Sequence, residues 1–140
     1  MSTAARRRLA GELRSVCMRI SRRARFENTE TIAPHHFSVL ARLEKSTATA
    51  RELAEHECVS APSMSRTIGA LVERGYIART DDPDDGRQTI LSLTPEGRST
   101  LRQTRRSRDE WMLVRLGDLT DEECEVLDRA RDILARVAAR

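Results

Sequence analysis

Apolar positions along the chain fall into blocks of two different periods. Between residues 9 and 26, Leu9, Leu13, Val16, Cys17 and Ile20 recur every three or four positions, and Arg14, Arg19, Arg22, Arg23 and Arg25 fill the remainder. This spacing predicts an amphipathic helix with a basic flank. A second helix is predicted from Pro34, which loses no hydrogen bond at a first helical position. It carries Phe37, Val39, Leu40 and Leu43 inward and ends before a turn at 46–49. Thr49 and Glu52 have capping-box spacing, in which hydroxyl and carboxylate each take an otherwise unpaired backbone N–H, so a short helix with Leu53 and Ala54 opens there. After a link at 57–59, Ser60 can cap a further helix with Pro62 in its first turn. Met64, Ile68, Leu71 and Val72 form the apolar face of that helix, and Gly75 beyond Arg74 supplies a left-handed stop.

The period then shortens to two. Tyr76, Ile77 and Ala78 read as a short strand, 81–86 as a turn with Pro83 and Gly86, and 89–93 as a returning strand with Ile90, Leu91 and Leu93. Thr94, Pro95 and Glu96 open a helix continuing through Leu101 to Leu116. Thr120 with Glu123 opens the last one, whose apolar positions include Cys124, Leu127, Ile133, Leu134 and Val137. No internal repeat and no long linker interrupts the series, so the expectation is one mainly alpha domain of residues 1–140 with a single β-hairpin.

Composition narrows the function classes. The 140 residues carry 25 basic side chains, all but Lys45 of them arginine, against 22 acidic ones, a net charge of only +3. Apolar residues make up 39 %, enough for a core but lean for long terminal helices unless a second subunit completes them. No run approaches 18 apolar residues, and none follows Arg6, Arg7 and Arg8, so a cytoplasmic protein with no membrane partner is expected. Cys17, Cys58 and Cys124 are too widely spaced for a disulfide framework or a metal cluster. His35 and His36 would point about 100 degrees apart on a helix, a poor ligand pair. We therefore expect neither metal nor cofactor. With no glycine-rich phosphate loop, paired-histidine motif or nucleophile elbow, and with Asp84 and Asp85 placed in a turn, the chain does not read as an enzyme.

One helix stands out chemically. Opposite its apolar face it presents Ser63, Ser65, Arg66, Thr67, Gly69 and Ala70, short groups around one arginine where a structural helix would carry long charged side chains. Two short helices with a tight connection fit a helix-turn-helix whose second member enters the major groove of double-stranded DNA. Arg66 can fork onto guanine O6 and N7, while Ser63, Ser65 and Thr67 reach base edges or phosphates without holding the helix away. Thr49 and Ser60 would bring helix N-termini to phosphates. The following hairpin then reads as a wing with Arg79 at its base and Arg87 at its tip, suited to a minor groove. Asp81, Asp82, Asp84 and Asp85 would repel phosphates if turned toward them; Asp85 is the residue expected to hold the turn or orient Arg87.

Taken together, Phe37, Val39 and Leu40, Arg51 to Ala54, Val59-Ser60, Ser63 to Arg66, Leu71, Glu73, Gly75 to Ile77, Arg79, Asp82-Pro83, Asp85, Arg87, Leu93-Thr94 and Glu96-Gly97 resemble the MarR family of winged helix-turn-helix regulators over nearly the whole chain. The resemblance implies a homodimer with intertwined N- and C-terminal helices. It implies binding to a roughly two-fold symmetric, palindromic operator, more often as repressor than activator, with recognition helices about 34–36 Å apart. It divides the chain into a DNA-binding lobe, 31–97, and a dimerisation region, 6–30 with 98–140, and it assigns Leu9, Leu13, Leu127, Ile133, Leu134 and Val137 to the subunit contact. It places DNA contacts at Ser63, Ser65, Arg66, Thr67 and Arg87 and a phosphate contact at Arg79. It further implies a small aromatic or phenolic effector in a crevice lined by Cys17, Ile20, His36, Phe37, Leu40 and Trp111.

Four positions depart from the family pattern. Ala33 stands where threonine often caps, His36 where glutamine is common, Gly86 where a longer basic side chain is frequent, and Gln88 where a second arginine is. Two rival readings remain. The first is oxidant sensing through Cys17, against which stand its expected burial among apolar residues and the absence of any tyrosine but Tyr76, with Cys58 a weaker candidate. The second is a helical interaction module without DNA binding, against which stand Arg66 and Arg87.

Overall fold

Helix boundaries in this molecule follow the capping residues. A computed structural model describes residues 1–27 and 32–139, and helix α1, Thr3–Phe26, opens where Ser2 Oγ accepts from the Ala5 N–H at 3.2 Å. It begins six residues ahead of Leu9, where the apolar pattern sets in. Its first turns are mostly alanine and arginine, residues of high helix propensity that need no apolar face to be helical. Helix α2, Pro34–Lys45, follows Ala33, which supplies no side-chain cap. Strand β1 is only Ala48–Thr49, and α3 is Ala50–Glu57 with both arms of the Thr49–Glu52 capping box formed. Helix α4, Ala61–Glu73, starts where Ser60 Oγ accepts from Ser63 N–H.

Strands β2, Ile77–Asp81, and β3, Thr89–Leu93, make the hairpin; α5, Pro95–Leu116, and α6, Asp121–Ala138, complete the series, the latter behind the Thr120–Glu123 box. The sheet is antiparallel in the order β1-β3-β2. Two features of the sheet differ from expectation. Residues 48 and 49, expected within a turn, pair with Leu91 and Ile90, and β2 runs on to Asp81 because Asp81 is opposite Thr89. Both depend on partners remote from the local pattern. The expected boundary between residues 30 and 31, and Arg140, lie outside the described residues. No helix among the described residues is long and apolar enough to cross a membrane.

The core lies between α2, α3, α4, the sheet and the first half of α5. Leu40, Leu53, Leu71 and Leu101 have no exposed surface, and Val39, Met64, Ile68, Ile77 and Leu91 are buried with them. Each such side chain contributes about 1.5–3 kcal/mol relative to an exposed one. Two glycines allow the close approaches. Gly75, at φ +76°, ends α4 in the left-handed region, and Thr94 ties to that stop by donating from Oγ1 to the Gly75 carbonyl. A Cβ at Gly97 would run into the Tyr76 carbonyl oxygen and the Leu93 side chain, so α5 packs here only without one. Arg105 of α5 forks onto Glu44 of α2, with Nη1–Oε1 at 3.1 Å and Nη2–Oε2 at 2.8 Å.

Outside this core the picture reverses. Helices α1 and α6 bury no residue, and Leu9, Leu13, Leu127, Ile133, Leu134 and Val137 are all exposed.

Candidate nucleic-acid interface

The turn between α3 and α4 is set by its backbone. Cys58 closes α3 in the left-handed region at φ +53°, its N–H bonding back to Ala54 and Glu55, and the Val59 N–H bonds to the Ala54 carbonyl at 3.1 Å. Two residues later Ser60 caps α4. With Met64, Ile68 and Leu71 buried, the opposite side of α4 turns outward: Ser65 and Arg66 are exposed, Ser63 and Thr67 half-buried. The expected chemistry of short hydroxyl groups around one guanidinium is therefore gathered on one outer face.

The wing is built by its aspartates. Asp85 Oδ1 accepts from the Arg87 N–H at 3.1 Å, and Asp82 Oδ1 accepts in the same way from the Asp84 N–H at 2.9 Å. Backbone bonds from Asp82 N–H to Gln88 and from Gln88 N–H to Asp85, both 2.9 Å, close the turn. The sequence points to Asp85 for this task; Asp82, at the same two-residue spacing from the N–H it holds, performs it as well. Arg87 and Arg79 are exposed. Arg79 borders a hollow of about 240 Å³ shared with Ala50 and Ser65, beside the start of α3. Thr49 and Ser60, named for their helix N-termini, use their hydroxyls inside the protein as caps at 3.2 and 3.3 Å.

A second hollow, of about 430 Å³, lies along the other flank of α4, where Ser63, Arg66 and Thr67 face His35, His36 and Glu57. The His36 Nδ1 is buried with no hydrogen-bond partner, and burial first, then the charges of His35 and Arg74, hold the imidazole below the ordinary histidine pKa. Glu57 is already engaged, accepting from Ser38 Oγ at 2.7 Å and lying 3.0 Å from His56 Nδ1. His35 and Glu57 were not singled out as a pair because 22 positions separate them in sequence.

The residues expected to line an effector crevice stand in different surroundings within the single chain. Leu40 is sealed in the core, Cys17 and Ile20 lie exposed on α1, and the hollow that takes in His36 includes neither Phe37 nor Trp111. Phe37 is covered by the Arg108 guanidinium, 3.8 Å above its ring. Arg108 keeps Nε and Nη2 buried without partners, and burial and Arg25 lower its pKa. Trp111 donates from Nε1 to Glu27 at 2.8 Å while Arg115 stacks on its ring at 3.6 Å and pairs with the same carboxylate. Hydrogen bonds from Arg23 and then Trp111 hold the Glu27 carboxyl below its usual range.

The burial expected for Cys17 is not found. In the single chain Cys17 is exposed on the apolar side of α1, in an open groove that α1 lines with Leu9 and Leu13 and α6 with Leu134 and Val137. Cys58 is exposed as well and Cys124 half-buried, all three with free thiols.

Comparison with known proteins agrees with this architecture. The chain is 36 % identical over 129 residues to an HTH-type transcriptional regulator of Mycobacterium bovis, covering 91 % of this chain and 90 % of that one. A transcriptional regulator protein from Pseudomonas aeruginosa superimposes with a TM-score of 0.82 at 29 % identity over 98 % of both chains. The fold is also that of a mutant of Staphylococcus aureus MepR bound to an oligodeoxyribonucleotide, with TM-score 0.69 and 19 % identity over 92 % of this chain and 97 % of that one. Residues 32–89, which span α2 to the start of β3, match the model of the MarR family. With a winged helix-turn-helix on its surface and relatives of this kind along nearly its whole length, the chain belongs to the MarR family of HTH-type transcriptional regulators.

Proposed function

We propose that the protein is a homodimeric repressor that binds a palindromic operator in the cytoplasm. In this reading 31–97 is the DNA-binding lobe and 6–30 with 98–140 the dimerisation region. Helix α4 enters the major groove with Ser63, Ser65, Arg66 and Thr67, Arg87 enters the adjacent minor groove, and Arg79, with the capped starts of α3 and α4 at Thr49 and Ser60, faces phosphates. The observation that carries the reading is the outer face of α4, where an exposed Arg66 stands among short hydroxyl side chains above a fully buried Leu71. The relative in fold that was solved with an oligodeoxyribonucleotide supports the same partner. Release by a small aromatic or phenolic effector completes the reading and rests on family membership.

Selection of genomic fragments by the purified protein at about 150 mM salt, beside an Arg66→Ala, Arg87→Ala variant, tests it. A palindromic motif recovered by the wild type and lost by the variant is expected. Equal recovery by both would remove these arginines from the interface. With the operator in hand, Arg66→Ala alone should weaken binding by about 1–3 kcal/mol and relax specificity at one position of each half-site.

A further inference from the structure

A helix seated in the major groove has a phosphate strand along each flank, because the groove it fills is bounded by the two backbones. Along one flank of α4 the Arg79 guanidinium lines a hollow with Ser65 and Ile68. The other flank carries two imidazoles. His35 and His36 stand edge to face with centroids 4.3 Å apart, across the larger hollow from Ser63, Arg66 and Thr67. We propose that this hollow is a second phosphate clamp: a backbone phosphate of the operator enters it and is held between the His35–His36 pair and Arg66. The proposal rests on α4 being the recognition helix.

Several features of the hollow suit an oxyanion. His36 Nδ1 is buried and has no partner, so the imidazole has hydrogen-bonding capacity that the fold leaves unused. Arg66 opens on the space and the charge of Arg74 reaches His36 from the end of α4. The one acid in the hollow, Glu57, is largely covered and held by Ser38 and His56, which reduces its repulsion. The groups facing His36 are thus His35 on its own helix, Arg66 on α4, Arg74 at the cap just beyond α4, and Glu57 on α3.

Occupancy by a phosphate carries a proton linkage. In the free protein, burial and positive neighbours keep His36 neutral at near-neutral pH; a phosphate alongside favours the imidazolium and raises the pKa in the complex. The complex then binds more protons than the free protein, so operator affinity rises as the pH falls through the value in the complex and levels off below the free value. The arginine charges do not change over this range.

Fluorescence anisotropy of the full-length protein on a selected operator duplex of about 30 base pairs, over a salt series at about pH 7.5 and 6.0, reads both consequences. The wild type should bind roughly threefold to tenfold more tightly at the lower pH. A His35→Asn, His36→Gln variant should lose that gain, and the slope of log affinity against log salt should shrink by about one. His35→Lys, which needs no buried change, should steepen the slope and raise affinity at low salt. A double variant with the wild-type slope and pH profile, or a lysine variant without gain, overturns the clamp alone. Absence of any salt-dependent duplex binding by the wild type overturns the recognition-helix reading and the clamp together. Benzoate or inorganic phosphate shifting the His36 imidazole resonances, with the variants' DNA affinity unchanged, would assign the hollow to a small anion and also overturn it.

Discussion

The winged lobe and the terminal helices solve the problem of apolar surface in opposite ways. In the lobe, leucines at 40, 53 and 71 from three successive helices reach zero exposure against the sheet within one chain. In α1 and α6, side chains of the same kind, spaced just as regularly, stay in water: Ile133 is 54 % and Val137 69 % exposed. Amphipathic periodicity therefore identifies a face to be covered and leaves open what covers it. An apolar patch of this kind, running along two helices, is what a subunit contact looks like from one side. The difference also divides the labour of the proposed regulator. The self-contained lobe presents a rigid face to DNA, while the exposed helices fix the distance between two such faces.

The sharpest way to break the comparison is at the lobe's centre. Leu53→Ala should cost about 2–5 kcal/mol, read as a fall in the thermal or urea midpoint, because the short α3 has few other buried groups to close the void. On the other side, Ile133→Asp should leave the lobe folded by circular dichroism and bring the sedimenting mass to the single-chain 15.9 kDa; a mass unchanged from the wild type would take α6 out of the subunit contact. Smaller is Thr49→Ala, which removes one arm of a capping box and should cost about 1 kcal/mol in the same melting experiment.

Smallest of all is Glu44→Gln. The Arg105 fork holds the Glu44 carboxyl below the usual carboxylate range, so its contribution is complete above the ordinary carboxylate pKa and is lost as the pH falls through the lowered value. Since both groups are partly exposed, the effect should stay under about 1 kcal/mol at neutral pH and vanish in acid. A variant whose deficit persisted at low pH would show that the fork acts through packing instead.

Much of the candidate site was legible in the chain because it is written in short-range chemistry. Serine at 60, proline at 62 and glycine at 75 bracket α4, and the polar residues between Met64, Ile68 and Leu71 must then face outward. The wing followed from Asp85, Gly86 and the alternation at 89–93. The hollow that His35 and His36 share with α4 was not legible, since nothing in residues 33–36 says that α2 begins beside α4. Nor was the hydrogen bond that the Trp111 indole donates to Glu27 from 84 positions away.

By itself, then, the sequence determined where α2 to α6 and the hairpin lie, which face of each helix is apolar, and which helix carries short hydroxyl groups around one arginine. These depend on hydrogen bonds and side-chain spacings within about four residues, where few conformations compete. Only the tertiary structure decided that residues 48 and 49 join the sheet as β1 and that Arg105 grips Glu44. It alone left Cys17 exposed in the single chain, and it alone left His36 Nδ1 without a hydrogen-bond partner in a hollow shared with Arg66. Each of these depends on which distant segments meet, or fail to meet. That is fixed by packing the whole core at once, and no local pattern encodes it.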